Sequence, residues 1–177
     1  IKVSMLGAKD IGALIEGEGI YAGTWTSREL GKTFNVFAAP EDFITHDSTS
    51  SRISNMMKTF NDTVWGVSKL KQWHGHDGIR LDNEQHLTQT LDKNEYNGEW
   101  FIPTLGMLRA NLFKNKKKKS LSGTFITKGS WGTEYWSLKE NANGEHAALY
   151  FSSYGVKYDD NYYQRNFCRP VRIVPVK

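Results

Sequence analysis

The sequence predicts an α+β domain in which two or three helices pack on a small, mostly antiparallel β-sheet. Three observations predict it. Apolar stripes with helical spacing fill the stretch between residues 50 and 115, strand-like patterns dominate from Ser130 onward, and turn-rich spacers separate those later strands. A chain of 177 residues is the size of one ordinary domain and can bury one core.

The elements follow in order. Residues 1–18 carry Gly7, Gly12 and Gly17 among short apolar pairs and read as a lead-in or a connection to an upstream region, with the domain proper over 19–177. Ile20 to Trp25 and Phe34 to Ala38 are strand candidates, the second closed by Pro40. Ile53, Met56, Met57 and Phe60 fall at i, i+3, i+4 and i+7 behind a cap at Ser50 or Ser51, which predicts a first helix. Asp82 and Gln85 have capping-box spacing ahead of Leu87 and Leu91, and that second helix stops before Asn97-Gly98. A third begins at Thr104 after Pro103, carries Leu105, Leu108 and Leu112 on one side, and runs out into lysines. Tyr135 to Leu138, Ala147 to Ser152 and Phe167 to Val174 read as strands joined by turns at Asn143-Gly144, Tyr154-Gly155 and Asp159-Asp160-Asn161.

Composition narrows the chemistry. The net charge is +4, and Lys116, Lys117, Lys118 and Lys119 account for the whole excess. No aromatic residue interleaves with them, so the run reads as a solvated helix end and no nucleic acid is expected as a partner. A single cysteine, Cys168, excludes an intramolecular disulfide and a thiolate zinc cluster and reads as a small buried side chain. No run of eighteen apolar residues occurs, so no membrane insertion is expected. His74-Gly75-His76-Asp77 with His86 has the residue types of a metal site, but Gly75 and Gly78 make a loop that does not fix the rings, and no metal or other cofactor is expected. There is no nucleophile elbow, paired-carboxylate signature or phosphate loop, so the chain does not read as an enzyme.

Aromatic residues make up 13% of the chain, more than an economical core of this size uses, so some rings are expected at the surface. The richest stretch runs from Tyr150 to Asn166, where Tyr150, Tyr154, Tyr158, Tyr162 and Tyr163 stand among Ser, Asn, Asp and Gln. Antibody-like paratopes share that composition: tyrosine gives rigid amphipathic area, and the short polar residues give adaptable hydrogen bonds.

Several blocks also carry a resemblance. Asn97-Gly98-Glu99-Trp100-Phe101-Ile102-Pro103-Thr104 resembles an N-G-x-W-x-L-P-S/T segment leading into a helix. Tyr135-Trp136-Ser137, Ala147 to Phe151, and Cys168-Arg169-Pro170-Val171-Arg172 resemble the Y-W-S-S-T-E, A-x-x-x-x-F and V-R-P-V-R blocks of the same family. Gly19-Ile20-Tyr21, Val36 to Asp42 and Trp65-Gly66 fit its earlier pieces, so the likeness spans roughly residues 19 to 174. The family is that of the C-terminal domain of the Legionella collagen-like adhesin, with relatives among surface and phage proteins of gut Bacteroidetes. Met107 and Leu138-Lys139-Glu140 depart from its pattern.

The resemblance implies a C-type-lectin-like fold, related to formylglycine-generating-enzyme-like domains and to the diversified tropism proteins of phages. One cysteine cannot reproduce the cysteine pair of the former, and the E-P-N, Q-P-D and W-N-D signatures of calcium-dependent lectins are missing. In the phage proteins the region before the last strand is the variable ligand-facing surface, which here is the Tyr-rich run. The expected function is therefore a receptor- or glycan-binding module for host attachment or cell adhesion, on a phage tail fibre or other virion appendage, or at a bacterial cell surface. Its partner would be a host-surface glycan or protein receptor. Expected contact residues are the rings of Trp136, Tyr150, Tyr154, Tyr158, Tyr162 and Tyr163 and the polar groups of Asn141, Asn143, Asp159, Asn161, Gln164 and Arg165. The alternative is a structural virion or assembly component, for instance a homotrimer within a larger fibre, with no ligand of its own.

Overall fold

The computed structural model describes residues 2–44, 83–128, 134–143, 145–152, 155–159 and 167–176. The predicted helix at Ile53 to Phe60, Trp65-Gly66 and the His74-Gly75-His76-Asp77 cluster lie outside the described residues. Within them the chain is α+β, but its strands form two sheets where one was expected. The first has the order β1-β2-β3-β9, from Leu14–Ile15, Gly19–Ser27, Lys32–Ala38 and Val171–Pro175. The second has the order β4-β8-β5-β6-β7, from Phe43–Ile44, Phe167–Cys168, Glu134–Glu140, His146–Tyr150 and Val156–Asp159. Every pairing is antiparallel except β5 with β8.

The expected strand from Phe167 to Val174 is two strands. Pro170 cannot donate a ladder hydrogen bond, and at Arg169-Pro170 the chain leaves the second sheet and joins the first. Residues 39–42 make the matching crossing between β3 and β4, and Ala39 N donates to Pro170 O at 2.9 Å. The two crossings are tied by charge. Arg169, fully buried, donates through Nε to Asp42 Oδ1 at 3.0 Å, with Nη2 at 2.8 Å from the same oxygen. It also donates to Thr124 Oγ1 and Thr124 O, at 3.0 and 2.5 Å, and lies 4.1 Å over the Phe125 ring. Arg172, the second arginine of that motif, pairs with Glu18 and donates to Gly98 O at 3.1 Å.

Helix α1, Glu84–Asp92, starts one residue later than the capping-box spacing indicated. Asn83 is the cap, its Oδ1 accepting from His86 N at 2.9 Å. Leu87 and Leu91 are buried as expected, and Asn94 ends the helix at a φ of 53°. Helix α2 begins with Leu105–Met107, capped by Thr104, whose Oγ1 accepts from Met107 N at 3.1 Å. A carboxylate oxygen of Glu84 accepts from Leu105 N at 2.9 Å, so α1 also caps α2. From Leu108 to Phe113 the winding widens to a π-helix, a geometry that occurs mostly in short stretches.

The π turn meets an irregularity in β2. The register against β3 shifts between Tyr21 and Thr24, and Gly23 there has a φ of 89°, a bulge that only glycine accommodates cheaply. Asn111 Nδ2 reaches into it and donates to Ala22 O and Thr24 O at 2.8 and 3.0 Å. Asn115 Nδ2 donates to Ala22 O at 3.4 Å and to Asn111 O at 2.9 Å. Asn111 is 3% exposed, and its Oδ1 accepts no hydrogen bond among the described residues.

The main core lies between the sheets and helices and includes Val36, Ala38, Trp100, Phe101, Ile102, Leu108, Leu112, Tyr135, Leu149 and Ile173. Phe101 joins the first sheet by exchanging backbone hydrogen bonds with Val171 at 2.8 and 2.9 Å. The opening segment, expected as a lead-in, packs on the opposite face of that sheet. Val3, Leu6, Ile11 and Ala13 lie against a second core of Ile15, Tyr21 and Phe37. Gly12, at a φ of 92°, sits so close to the lysine-rich turn that an added Cβ would stand 2.5 Å from Lys118 O. That turn, which follows α2, also donates from Ser120 N to Gly12 O at 2.9 Å. No helix among the described residues is long and apolar enough to cross a membrane.

Candidate ligand-binding surface

The surface expected to carry function rests on the ribbon of β5, β6 and β7. Successive side chains of a strand point to opposite faces, and residues directly opposite in an antiparallel pair share a face. The register therefore places Tyr135, Leu149 and Val156 on one side, with Ala147 and Tyr158 alongside, and Trp136, Ala148 and Lys157 on the other. Tyr135, Leu149, Ala147 and Ala148 are fully buried, so both faces of β6 are covered. Strand β7 is the edge of the sheet among the described residues, and there Val156 and Tyr158 are 38% and 40% exposed.

Strand β6 holds the two ends of the ribbon apart. At one end the chain passes from Glu140 at the close of β5 to His146 at the start of β6. Asn141 Oδ1 accepts from Asn143 N at 2.9 Å and Glu145 N at 3.0 Å, while Asn141 N donates to Glu145 O at 3.0 Å. This is an Asx turn, in which the side chain replaces a backbone acceptor. One carboxylate oxygen of Glu145 accepts from Asn141 Nδ2 at 3.1 Å and Asn143 Nδ2 at 3.4 Å. His146 Nε2 lies 3.1 Å from a Glu140 oxygen, and His146 pairs with Asp159 across the ribbon. At the other end Tyr150 N donates to Gly155 O at 2.8 Å, closing the turn into β7.

The expected contact residues divide accordingly. Asn141, Asn143, Tyr158 and the backbone of Asp159 gather at one end. Tyr150 is half-buried at the other, about 13 Å along β6 from the first. It shares a face with Lys157 and not with Tyr158, so these two tyrosines do not form one flat patch. Trp136, expected among the contact rings, is 7% exposed and belongs to the core. Tyr154, Asn161, Tyr162, Tyr163, Gln164 and Arg165 lie outside the described residues. Val156, Glu140, Glu145 and His146 join the surface without having been singled out in the sequence. Alternation around Tyr158 was the signal for Val156.

Beneath the ribbon, aromatic packing and the buried ion pair keep it stiff. Phe151 stacks on Tyr135 with ring centroids 4.3 Å apart, and on Phe125 at 5.0 Å. Tyr135 OH donates to Asp42 Oδ2 at 2.6 Å and accepts from Ile126 N at 2.9 Å. Burial pushes the Asp42 carboxyl above its ordinary range, against the opposing pull of Arg169 and of hydrogen bonds from Tyr135 and Arg169. Burial also raises the Tyr135 hydroxyl and the Cys168 thiol, and in both cases the Asp42 charge adds to the effect. Cys168 is therefore a packed thiol whose ionisation burial disfavours.

His86 sits on α1, and no three His, Cys, Asp or Glu side chains among the described residues are grouped to hold a metal ion. No protein-family model matches the chain, and no curated protein sequence matches it.

Proposed function

We propose that the chain is a C-type-lectin-like binding module of the kind found in the Legionella collagen-like adhesin and in phage tropism proteins. It attaches a phage tail fibre or a bacterial surface protein to a host-cell glycan or protein receptor. It binds by shape, aromatic contact and hydrogen bonding, without catalysis and without a cofactor. One observation carries the reading: β7, an edge strand among the described residues and part of the Tyr-, Asn- and Asp-rich run, displays Tyr158 and Val156 beside the central strand β6, which is packed from both sides. A stiff scaffold with an exposed aromatic and amides at one end has the makings of a binding surface, because little order is lost on contact. The fold alone carries no function.

The same edge also favours a second reading, in which Val156 and Tyr158 are covered by another subunit of a virion assembly. A glycan array and a whole-cell binding assay separate the two. Truncating a central interface tyrosine costs about 1–2 kcal/mol, roughly a tenfold loss of affinity. Tyr158→Ala combined with Tyr162→Ala and Tyr163→Ala is thus expected to abolish binding while leaving the circular dichroism spectrum unchanged. Undiminished binding would remove this surface from consideration. Loss of a light-scattering oligomer in the same variant would favour the assembly role.

A further inference from the structure

We infer that a cavity on the outer face of the first sheet is a binding site for a small uncharged molecule, mainly aliphatic, that presents a carbonyl oxygen. The cavity has a volume of about 230 Å³. Its floor is a row across three strands. Asn35 of β3 pairs with Thr24 of β2 on one side and with Val174 of β9 on the other, so the three side chains stand together on the face turned away from the main core. Val3 and Leu6 of the opening segment form the opposing wall. Val176, which is 47% exposed, lines the solvent side.

Asn35 distinguishes this cavity from a gap in packing. The residue is 5% exposed, and its Oδ1 accepts from Tyr21 OH at 3.0 Å. Its Nδ2 donates to no acceptor among the described residues. Polar groups buried to this degree are ordinarily hydrogen-bonded. Tyr21 does not line the cavity, so the amide oxygen is already engaged and the amide nitrogen is the atom left to receive a ligand.

The lining selects the chemistry of that ligand. A free N–H donor calls for an acceptor, and no charged side chain lines the cavity, so an ionised ligand would lose its hydration without gaining a partner. No aromatic ring lines it either, so stacking is not what would hold a guest. Aliphatic walls around one convergent amide are the usual makeup of a small-molecule site. A dry cavity of about 150 Å³ takes a benzene ring, and scaling from it gives this one room for about nine non-hydrogen atoms. The site lies on the first sheet and the surface proposed above lies on the second, so either can fail without the other.

The test titrates butyl methyl ketone into the intact protein and follows its methyl signals by two-dimensional NMR. Valerate, which carries a charged oxygen in place of the methyl group on the carbonyl, is titrated in parallel. The ketone is expected to shift the Val3, Leu6, Val174 and Val176 methyls saturably, with a dissociation constant on the order of millimolar, and valerate to bind at least several-fold more weakly. Val174→Phe, which fills the cavity from its floor, should abolish the shifts. Asn35→Leu alone would strand the Tyr21 hydroxyl, so it is made together with Tyr21→Phe and compared with Tyr21→Phe alone; loss of the amide donor should weaken binding roughly tenfold. Tyr158→Ala should bind the ketone as the wild type does. The inference is overturned by an absence of saturable shifts at those methyls, by valerate binding as tightly as the ketone, by equal affinity with and without the Asn35 amide, or by loss of ketone binding in Tyr158→Ala.

Discussion

Removing the Asn111 amide is expected to destabilise the domain more than the size of the side chain implies. Its Nδ2 serves two carbonyls of the β2 bulge, and Asn111→Ala leaves Ala22 O with Asn115 Nδ2 at 3.4 Å and takes the 3.0 Å bond from Thr24 O. A buried acceptor that loses its donor costs about 1–3 kcal/mol. With Ala22 O partly compensated by Asn115 and Thr24 O carried by an exposed residue that water can reach, the expected loss is roughly 1–2 kcal/mol, still a large part of the marginal stability of a single domain. Asn111→Asp keeps the shape but turns a carboxylate oxygen toward the same carbonyls, so it should cost more than the alanine change. Urea unfolding followed by tryptophan fluorescence measures both, with an unchanged m value showing that the transition itself is the same. A loss under about 0.5 kcal/mol for Asn111→Ala, or an aspartate variant milder than the alanine one, would refute the idea that this amide holds the bulge.

Two further outcomes follow from buried ionisable groups. The Asp42 carboxyl is raised in the folded protein, mainly by burial, so the folded state holds a proton more readily than the unfolded chain. Its contribution to stability is fully present below the unfolded pKa of about 3.9 and is lost as pH rises through its higher folded value. Subtracting the pH–stability profile of Asp42→Asn from that of the wild type should leave a difference that falls with pH in that window; a rising difference would show the Arg169 pairing to outweigh burial. Cys168, fully buried with its thiol pushed up, should stay unmodified by a thiol reagent in native buffer and react once guanidinium unfolds the chain, and rapid labelling of the native protein would place it at the surface instead.

Much of the framework was legible because periodicity and capping are local. Leu87, Leu91, Leu105, Leu108 and Leu112 all point into the core as their spacing indicated, and Thr104 caps α2 as the residue after Pro103 should. The division into two sheets was not legible, because it depends on which strands pair. Phe167 to Val174 has the residue types of one strand, and only the pairing of Cys168 with Phe43 and of Val171 with Ala38 shows that it serves two sheets. The packing of the opening residues was not legible for a related reason. Val3, Leu6 and Ile11 are too scattered to signal an element, and they gain meaning only once Tyr21 and Phe37 present a second apolar face. At the surface, composition found Tyr158 and the Asn141–Asn143 turn, but it could not separate an outward ring from the inward ring of Trp136. That depends on register, which no single strand determines.

The partnering of β3 with β9 has a consequence for how the molecule is made. β3 lies early in the chain and has β2 beside it as soon as both are synthesised, yet its other edge waits for Val171–Pro175. Until those residues leave the ribosome, Phe34, Val36 and Ala38 stand on a strand with one open edge and no Ile173 beside them. Closing so long a loop is slow relative to local helix and hairpin formation. The nascent domain thus passes through an interval in which an apolar strand edge is open to other chains, and the pairing of Val171–Pro175 with β3, once they have left the ribosome, ends it.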